Sequence, residues 1–403
     1  MKLLYFGTVC DPQPYEQLLQ QCSEKPSTAP LIFETALLSG FAQNGLQVDI
    51  LSYPVIPPYP KSGWIRWGNR KERLACGYCC TWLKTINIPV IKQLTRKLDG
   101  RKHLKKWLKE NAGEECAVLT YAMPPFLMQD IIRLCNRSGV KCFAVVTDLL
   151  RDMYMNERNH PLVALLKKWY LAGPIRWQGR YDGYVYLTEN MAEVINPEKP
   201  YMVMEGIADT SLAAEDEPER SQPEAIMYAG MLEEQYGILK LLDAFEMADL
   251  PEAECWLFGS GNAEAQIQAR AQRNPRIRFF GRRNRSEILE REKMASLLVN
   301  PRSVQDTYTK YSFPSKTIEY MLSGTPLLTT RLPGIPDEYY PYLFLCEDNS
   351  PEQLREALEA ALGTTEKERK LLGRKARDFI IQNKNANKQT ERIIQFLMEE
   401  VKQ

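Results

Sequence analysis

The sequence predicts an α/β protein with two open parallel sheets, one in each half of the chain. Short apolar runs alternate with segments whose apolar residues recur at helical spacing, a pattern typical of strand–helix–strand units. The alternation stops at a polar, proline-containing stretch and then begins again. A length of 403 residues is also enough for about two or three domains. We therefore predict domains at 1–208 and 225–385, a linker at 209–224 and a final helical segment at 386–403.

Both halves open with a strand, a helix and a second strand. In the first half the predicted elements are Lys2–Val9, Pro30–Gln43, Gln47–Ser52, Cys116–Tyr121, Asp130–Asn136, Lys141–Thr147 and Tyr184–Leu187. In the second half they are Ala225–Tyr228, Leu239–Met247, Cys255–Phe258, Ile277–Phe280, Leu297–Asn300, Pro326–Thr329 and Leu343–Cys346. Such sheets bind ligands outside the carboxyl ends of their strands, so we expect the functional site in a cleft between the halves.

The composition excludes several classes of protein. Hydrophobic residues make up 44% and charged residues 26% of the chain, values near the globular average that exclude a disordered chain. No apolar window is long enough to span a membrane and no secretory signal is recognisable, so we expect a cytoplasmic protein. Cys76 and Cys79 form a CxxC pair, but no second pair completes a tetrahedral site, and we predict no metal.

Residues 61–110 concentrate the positive charge of the chain. They contain 14 Lys or Arg against three acidic residues, whereas the whole chain has a net charge of +1. Four of the seven tryptophans also lie here: Trp64, Trp67, Trp82 and Trp107. Basic side chains combined with indole rings suit attachment to an anionic membrane surface, which is the partner we predict. The alternatives are a solvated helical face with buried tryptophans and a nucleic-acid groove; we expect no nucleic acid.

A short helix with a phosphate-binding start is predicted from Pro314 to Gly324. Proline suits the first helical position, and glycine suits the left-handed residue after a helix. Free N–H groups near Ser315 and the ammonium of Lys316 would then face a phosphate. Glu319 shares the face of Lys316 and could accept hydrogen bonds from a ribose diol. The alternative is an ordinary surface Lys–Glu pair.

A series of motifs follows in a fixed order through residues 225–340. They are Tyr228-Ala-Gly230-x-Leu232, Tyr236-Gly237-Ile238, Leu257-Phe-Gly259-Ser-Gly261, Phe280-Gly281-Arg282, Asn300-Pro301, Lys316-x-x-Glu319-Tyr320, Gly324-Thr-Pro326 and Pro333-Gly334-Ile335-Pro336-Asp337-Glu338. As a set they resemble glycosyltransferase family 4, and more narrowly its branch that builds bacterial exopolysaccharides, capsules and O-antigens. The likeness is weaker in the first half, where it rests on Val146-Thr-Asp148 and Tyr181-Asp-Gly-Tyr184.

That resemblance implies a GT-B fold, in which two Rossmann-like domains face each other across a deep cleft. It also implies a retaining, metal-independent transfer from a nucleotide sugar on the second domain, and a final helix at 386–403 that returns to the first. Glu319 resembles the ribose-binding glutamate, and Gly281 and Arg282 would lie near the base. The implied donor-binding residues are Gly230, Tyr236, Gly259, Gly261, Gly281, Arg282, Lys310, Tyr311, Ser315, Lys316 and Glu319.

Three positions depart from the pattern of that family. Met231 and Tyr236 stand where many members have the Arg and Lys that clamp the diphosphate. Lys310 or Lys316 would then have to meet the phosphate charge. Tyr311 stands where the first of two paired glutamates is usual.

We expect Lys316, Glu319 and Asp148 to be the catalytic residues of a retaining hexosyltransferase without a separate cofactor. Asp148, where relatives often place a histidine, could orient the acceptor hydroxyl or cap a helix. The expected reaction moves a sugar, from a UDP-linked donor in particular, to a lipid-linked saccharide in bacterial surface polysaccharide synthesis. It would take place at the inner face of the cell membrane. The alternatives are a nucleotide-sugar epimerase and a non-catalytic, nucleotide-sugar-binding partner subunit.

Overall fold

A computed structural model of the chain describes residues 1–24, 26–151, 161–210 and 222–402. Its backbone divides into two compact units, Met1–Ile207 with Ala386–Gln403, and Ala208–Asn385. Most of the predicted linker, 211–221, lies outside the described residues.

The strands and helices are numbered along the chain. The strands are β1 Lys2–Gly7, β2 Gln47–Ser52, β3 Arg66–Trp67, β4 Lys71–Arg73, β5 Cys79–Trp82, β6 Thr85–Ile86, β7 Cys116–Tyr121, β8 Lys141–Val146, β9 Gly183–Tyr186, β10 Tyr201–Val203, β11 Ala225–Met231, β12 Glu254–Ser260, β13 Ile277–Gly281, β14 Leu297–Asn300, β15 Leu327–Thr330 and β16 Phe344–Cys346. The helices are α1 Pro12–Gln20, α2 Ala29–Gln43, α3 Ile91–Glu110, α4 Met128–Ser138, α5 Pro161–Trp177, α6 Met191–Ile195, α7 Ile238–Met247, α8 Glu264–Arg273, α9 Arg285–Met294, α10 Thr307–Lys310, α11 Lys316–Leu322, α12 Pro351–Gly363, α13 Glu366–Asn383 and α14 Ala386–Lys402. Short 3₁₀ turns lie at Gln178–Arg180, Glu234–Tyr236 and Asp337–Tyr342.

The first unit is built on an eight-stranded sheet with the order β10-β9-β8-β7-β1-β2-β5-β4. Its pairs are parallel except for the edge pair of β4 and β5. Every residue of β7 is buried, as expected for a parallel strand covered on both faces. Helix α14 belongs to this unit and packs closely on α2, because a Cβ added at Gly40 would lie 2.3 Å from the Ala386 carbonyl oxygen.

The second unit contains a fully parallel six-stranded sheet with the order β13-β12-β11-β14-β15-β16. The chain moves outward from β11 to β13 and then returns to add β14 on the opposite side of β11. Strand order therefore reverses between β11 and β14, which is the switch point at which doubly wound sheets bind ligands. The first unit has the same arrangement around β1 and β7. The prediction of two Rossmann-like sheets is confirmed.

The basic segment 61–110 forms the short strands β3 to β6 and helix α3, which the sequence patterns did not predict. Trp67, Trp82 and Trp107 are buried in the first unit. Their indole N–H groups donate inside the protein, as in the 2.8 Å bond from Trp107 Nε1 to Asp49 Oδ2. The expectation that these indole rings meet a membrane surface is therefore wrong, because they fill the core instead.

Helix α3 instead exposes aliphatic side chains at its beginning. The exposed fraction is 84% for Val90, just before the helix, and it is 41% for Ile91, 55% for Leu94 and 60% for Leu98. Leu94, Leu98 and Lys102 follow each other at four-residue spacing and so share one face of the helix. Within the described ranges, no helix is both long and apolar enough to cross a membrane.

Candidate active site

The two central strands of the second unit separate before they end. Strand β11 pairs with β12 along its whole length, from Ala225 opposite Glu254 to Met231 opposite Ser260. Its register with β14 covers only Ile226 opposite Leu297 and Met227 opposite Leu298. The last residues of β11 and β14 therefore lie on two sides of a split in the sheet, which opens at the switch point.

Tyr320 occupies this split. Its hydroxyl donates to the Ala229 carbonyl oxygen at 3.0 Å and accepts from the Ala229 N–H at 2.8 Å. The side chain is fully buried, and burial raises the pKa of the phenol well above its usual value. One side chain on α11 thus replaces the strand-to-strand hydrogen bonds that Ala229 lacks. Because Tyr320 is fixed in this way, α11 is fixed beside the switch point.

Glycines allow the loops after β11 and β12 to touch. Gly259 has φ +133°, and a Cβ added there would lie 1.7 Å from the Gly230 carbonyl oxygen. A Cβ at Gly261 would lie 2.3 Å from the Leu232 carbonyl oxygen. The structure therefore brings together three of the predicted donor-site glycines, Gly230, Gly259 and Gly261, and close backbone packing explains Gly259 and Gly261.

Lys316 and Glu319 form an ion pair on α11, and a third ionisable group lies behind them. The Lys316 ammonium contacts the Glu319 carboxylate directly. It also lies 3.6 Å from Oε1 of Glu292, a residue of α9 that is fully buried. Sequence reasoning missed Glu292, because its helix, Arg285–Met294, is so rich in charged residues that it resembles a solvated surface helix.

The carboxyl groups of Glu292 and Glu319 have pKa values that are shifted in opposite directions. The pKa of Glu292 is raised to about 8, mainly by burial; Lys316 opposes the rise and the neighbouring Glu319 contributes to it. Burial also acts to raise the pKa of Glu319, but Lys316 above all, with the neighbouring Glu292, holds it below its usual value. At neutral pH Glu292 therefore carries a proton and Glu319 is ionised. The charge of Lys316 is then already balanced by Glu319.

The predicted phosphate-binding helix is shorter than expected. Helix α11 contains seven residues, Lys316–Leu322, and the side chain of Ser315 makes no capping hydrogen bond. The Lys310 ammonium lies 5.7 Å from the ring centre of Tyr311, just before this helix. Arg282 is exposed in the loop after β13. The Arg285 guanidinium, at the start of α9, helps to lower the pKa of Glu319, so the start of α9 and α11 approach each other.

A cationic group that the sequence did not single out lies just beyond the carboxyl end of β14. The guanidinium carbon of Arg302, two residues after β14, is 4.8 Å from the ring centre of Tyr236. Tyr236 also packs edge-on against Tyr308, with ring centres 6.1 Å apart. Burial raises the pKa of Tyr308 to about 12, while Arg302 opposes that rise. The loops that follow β11 and β14 thus meet in a cluster of aromatic rings around one guanidinium.

Asp148 belongs to the first unit. It is exposed at the carboxyl end of β8, and its charge helps to raise the pKa of Tyr121 at the end of the neighbouring β7. Burial is the larger cause of that rise. Its alternative role as a helix cap cannot be followed past residue 151, because residues 152–160 lie outside the described part of the chain. Among the residues that the structure describes, no group of three His, Cys, Asp or Glu could hold a metal ion.

Comparison with known proteins gives a family match for most of the second unit and a fold match for nearly the whole chain. Residues 210–379 match the family model described as glycosyl transferases group 1. A search of curated protein sequences finds no match. The chain is similar in structure to sucrose-phosphate synthase from Thermosynechococcus elongatus, with 13% identity, a TM-score of 0.63 and 99% of each chain covered.

Two further solved structures cover almost the whole chain. One is Anabaena HepE in complex with UDP, with 13% identity, a TM-score of 0.56, and 99% of this chain and 100% of HepE covered. The other is the lipopolysaccharide outer core galactosyltransferase WaaB in its apo form, with 13% identity, a TM-score of 0.60 and the same coverage. The GT-B fold is confirmed, and the family match supports a glycosyltransferase.

Proposed function

We propose that this chain is a retaining glycosyltransferase that takes its sugar from a UDP-linked donor. The observation that carries the proposal is the split between β11 and β14, because ligands of doubly wound sheets bind at this point. The match of residues 210–379 to glycosyl transferases group 1 supports the reaction class. The UDP in the HepE complex supports the choice of nucleotide.

Glu319 is the proposed ribose-binding residue of this site. Its carboxylate is kept ionised by Lys316, and an ionised carboxylate can accept both hydrogen bonds from a ribose diol. Glu292 is protonated and so adds no second negative charge, which would disfavour the ionised form of Glu319. The charge of Lys316 is balanced by Glu319. We therefore propose that Lys316 mainly holds the Glu319 carboxylate in place and interacts only weakly with the diphosphate.

The proposed chemical step needs no protein nucleophile. The acceptor hydroxyl attacks the anomeric carbon on the face from which UDP departs, and the bond from that carbon to the diphosphate oxygen breaks. The electron pair stays on UDP, and the proton of the hydroxyl passes to the departing phosphate oxygen. Configuration at the anomeric carbon is thereby retained. Negative charge develops on the diphosphate as it leaves, so fixed positive charge nearby would lower the barrier to the reaction. Such charge would take the place of a metal ion in this step.

A thermal-shift screen tests donor binding first. UDP-sugars should raise the unfolding temperature of the protein more than GDP- or ADP-sugars do, since a ligand that binds only the folded state stabilises it. Glu319→Ala should weaken UDP binding by about tenfold or more. Glu290→Ala is the matched control, because Glu290 is an exposed glutamate on α9. Equal affinity in wild type and Glu319→Ala would remove Glu319 from the site.

Product analysis then separates the proposed reaction from its alternatives. A transferase should transfer the sugar to an acceptor or slowly hydrolyse the donor, with the anomeric configuration retained. Conversion of the donor to its epimer without any acceptor would instead identify an epimerase. UDP-sugar binding without turnover on any acceptor would identify a non-catalytic partner subunit.

We further propose that the acceptor is a lipid-linked saccharide reached at the inner face of a bacterial cell membrane. The exposed apolar residues at the start of α3 are followed on the same face by Lys102 and, one turn on, Lys105 and Lys106, all exposed. An amphipathic helix of this kind lies in the interface, with aliphatic side chains among the acyl chains and ammonium groups at anionic headgroups. The similarity to WaaB supports a role in surface polysaccharide synthesis.

Vesicle sedimentation tests the membrane proposal. Binding should need vesicles that contain phosphatidylglycerol and should weaken as salt increases, because salt screens charges at the surface. Replacing Leu94 and Leu98 by Ser should abolish most of the binding. Leu371→Ser is the control, since Leu371 is an exposed leucine of the second unit, 46% accessible. Binding that ignores lipid charge, salt and the Leu94 and Leu98 changes would contradict the proposal.

A further inference from the structure

We propose that Arg302 is the main cationic contact to the diphosphate of the donor, a role that rests on the proposed function. The residues that usually clamp the diphosphate are replaced here by Met231 and Tyr236. Lys316 cannot fully substitute for them, because its ammonium is paired with Glu319. A site for a doubly charged leaving group still needs a cation near the carboxyl ends of β11 and β14.

The position of Arg302 meets that need. It follows β14 by two residues, and its guanidinium stacks on Tyr236 in the loop after β11. The two loops are in contact, because a Cβ added at Gly237 would lie 2.0 Å from the Pro301 carbonyl oxygen. The guanidinium therefore lies where the two strands of the switch point end. Tyr236, which takes the place of a lysine, supplies a surface that holds an arginine from the neighbouring loop.

The charge of Arg302 is also available to a ligand. No carboxylate in the described ranges forms an ion pair with it; its neighbours are the ring of Tyr236 and the hydroxyls of Tyr228 and Tyr308, whose pKa values are raised by burial, a rise that Arg302 opposes. The guanidinium lies over the Tyr236 ring, and among the described residues none of its N–H groups forms a hydrogen bond. These groups can therefore form paired hydrogen bonds to phosphate oxygens. The Tyr308 hydroxyl beside it is buried and has no hydrogen-bond partner. Arg302 and Tyr308 thus present unused donors at one point of the split.

Arg331 provides a matched control in the same sheet. It follows β15 directly, and its guanidinium carbon lies 4.6 Å from the ring centre of Tyr340. Unlike Arg302, it is paired with a carboxylate, Glu347, at 3.3 Å. The two arginines share a stacked geometry at the end of a parallel strand. They differ in strand position and in whether their charge is already balanced.

Isothermal titration with UDP, uridine and inorganic pyrophosphate tests the assignment. Arg302→Ala should weaken UDP binding by about 10- to 100-fold and should leave uridine binding within about twofold, because a charged hydrogen bond to phosphate is lost. Pyrophosphate binding should fall in parallel with that of UDP. Arg302→Lys should recover only part of the loss, since an ammonium lacks the planar donor pair. Arg331→Ala should bind UDP like wild type.

The possible outcomes separate this inference from the proposed function. If wild type binds UDP and Arg302→Ala binds it equally well, Arg302 is not the diphosphate contact although the donor site stands. If Arg302→Ala loses uridine as strongly as UDP, the residue shapes the pocket and the inference fails. If wild type binds neither UDP nor any other nucleotide diphosphate, the proposed function fails and the inference fails with it. Unfolding curves for Arg302→Ala and Arg302→Lys confirm that each variant is folded before titration.

Discussion

The two units share one strand order around their switch points but differ in how far the central strands stay paired. In the first unit β1 and β7 are in register from Lys2 opposite Cys116 to Phe6 opposite Thr120, almost to the end of both strands. In the second unit the corresponding register ends after two residue pairs. Opening a sheet leaves backbone groups without partners, which costs free energy unless another group replaces them. The second unit provides Tyr320 for this purpose, and the first unit has no such need.

Buried glutamates show the same contrast. Glu34 in the first unit accepts hydrogen bonds from the Tyr5 hydroxyl at 2.8 Å and from the Thr8 N–H at 2.9 Å. Neither carboxyl oxygen of Glu292 in the second unit has a hydrogen-bond partner among the described residues. Burial raises both pKa values, but the donors around Glu34 oppose the rise and hold it at about 7. Glu34 thus holds the loop after β1 by hydrogen bonds, whereas Glu292 is a protonated side chain beside the candidate site.

The largest effect that separates the units is expected from Glu34→Ala. This change removes the acceptor for Tyr5 and Thr8 in a fully buried place, and it leaves a cavity. We expect a loss of about 3 to 5 kcal/mol in the free energy of opening the first unit, because unsatisfied buried donors and cavities both destabilise. Hydrogen exchange of the amides of β1 and β7 measures that loss.

Two variants control for this result. Glu34→Gln should lose less than Glu34→Ala, since the amide oxygen still accepts one hydrogen bond. Glu16→Ala should change little, because Glu16 is exposed on α1. Unchanged hydrogen exchange in Glu34→Ala would show that other contacts hold the loop after β1. The hydrogen bonds of Glu34 would then not distinguish the first unit from the second.

A smaller effect is expected from Tyr320→Phe. Removing the hydroxyl leaves the Ala229 N–H and carbonyl without partners inside the protein. We expect a loss of about 2 to 3 kcal/mol and faster hydrogen exchange at β11. Tyr186→Phe in the first unit is the control, because the Tyr186 hydroxyl is also buried but has no hydrogen-bond partner. Equal effects of the two changes would mean that the hydroxyl of Tyr320 does not support the split.

The strands were predictable because parallel strands are continuous apolar runs that need no knowledge of distant contacts. The predicted bounds Gln47–Ser52, Cys116–Tyr121 and Leu297–Asn300 agree with β2, β7 and β14. Helix α3 was missed, since its basic residues hide the apolar pattern along Ile91–Glu110. Local periodicity reports which side chains face the core, and it fails where charge and exposed aliphatic residues are mixed.

The candidate site was predictable only where its residues are neighbours in sequence. The spacing of Lys316 and Glu319 on one helix predicts that they share a face, and the ion pair that the sequence offered as the alternative to a donor site is present. Their roles toward a donor stay a prediction. Glu292 meets Lys316 only through tertiary packing, and the role of Tyr320 in the split depends on where a distant strand ends. Arg302 was missed for the same reason, because its stacking partner Tyr236 lies in a different loop. Such contacts carry no signal at the level of local spacing.

The smallest effect, and the one that depends on pH, is expected from Glu292→Gln. An unfolded glutamate loses its proton near its ordinary pKa of 4.5, whereas folded Glu292 keeps its proton up to about pH 8. Between these values the folded state binds more protons than the unfolded state, so the contribution of Glu292 to stability falls as pH rises. Glutamine does not titrate and avoids this loss. We therefore expect the free energy of unfolding of Glu292→Gln, relative to that of wild type, to increase by about 1 to 2 kcal/mol between about pH 5 and about pH 8.5.

Glu319 limits the size of that gain. Its pKa is held low mainly by Lys316 and in part by the neighbouring Glu292, so the substitution disturbs an interaction that favours the folded state above the ordinary pKa of a glutamate. Urea unfolding at both pH values measures the difference, with Glu290→Gln as an exposed control on the same helix. A stability gap between Glu292→Gln and wild type that does not change with pH would mean that Glu292 is already ionised at neutral pH.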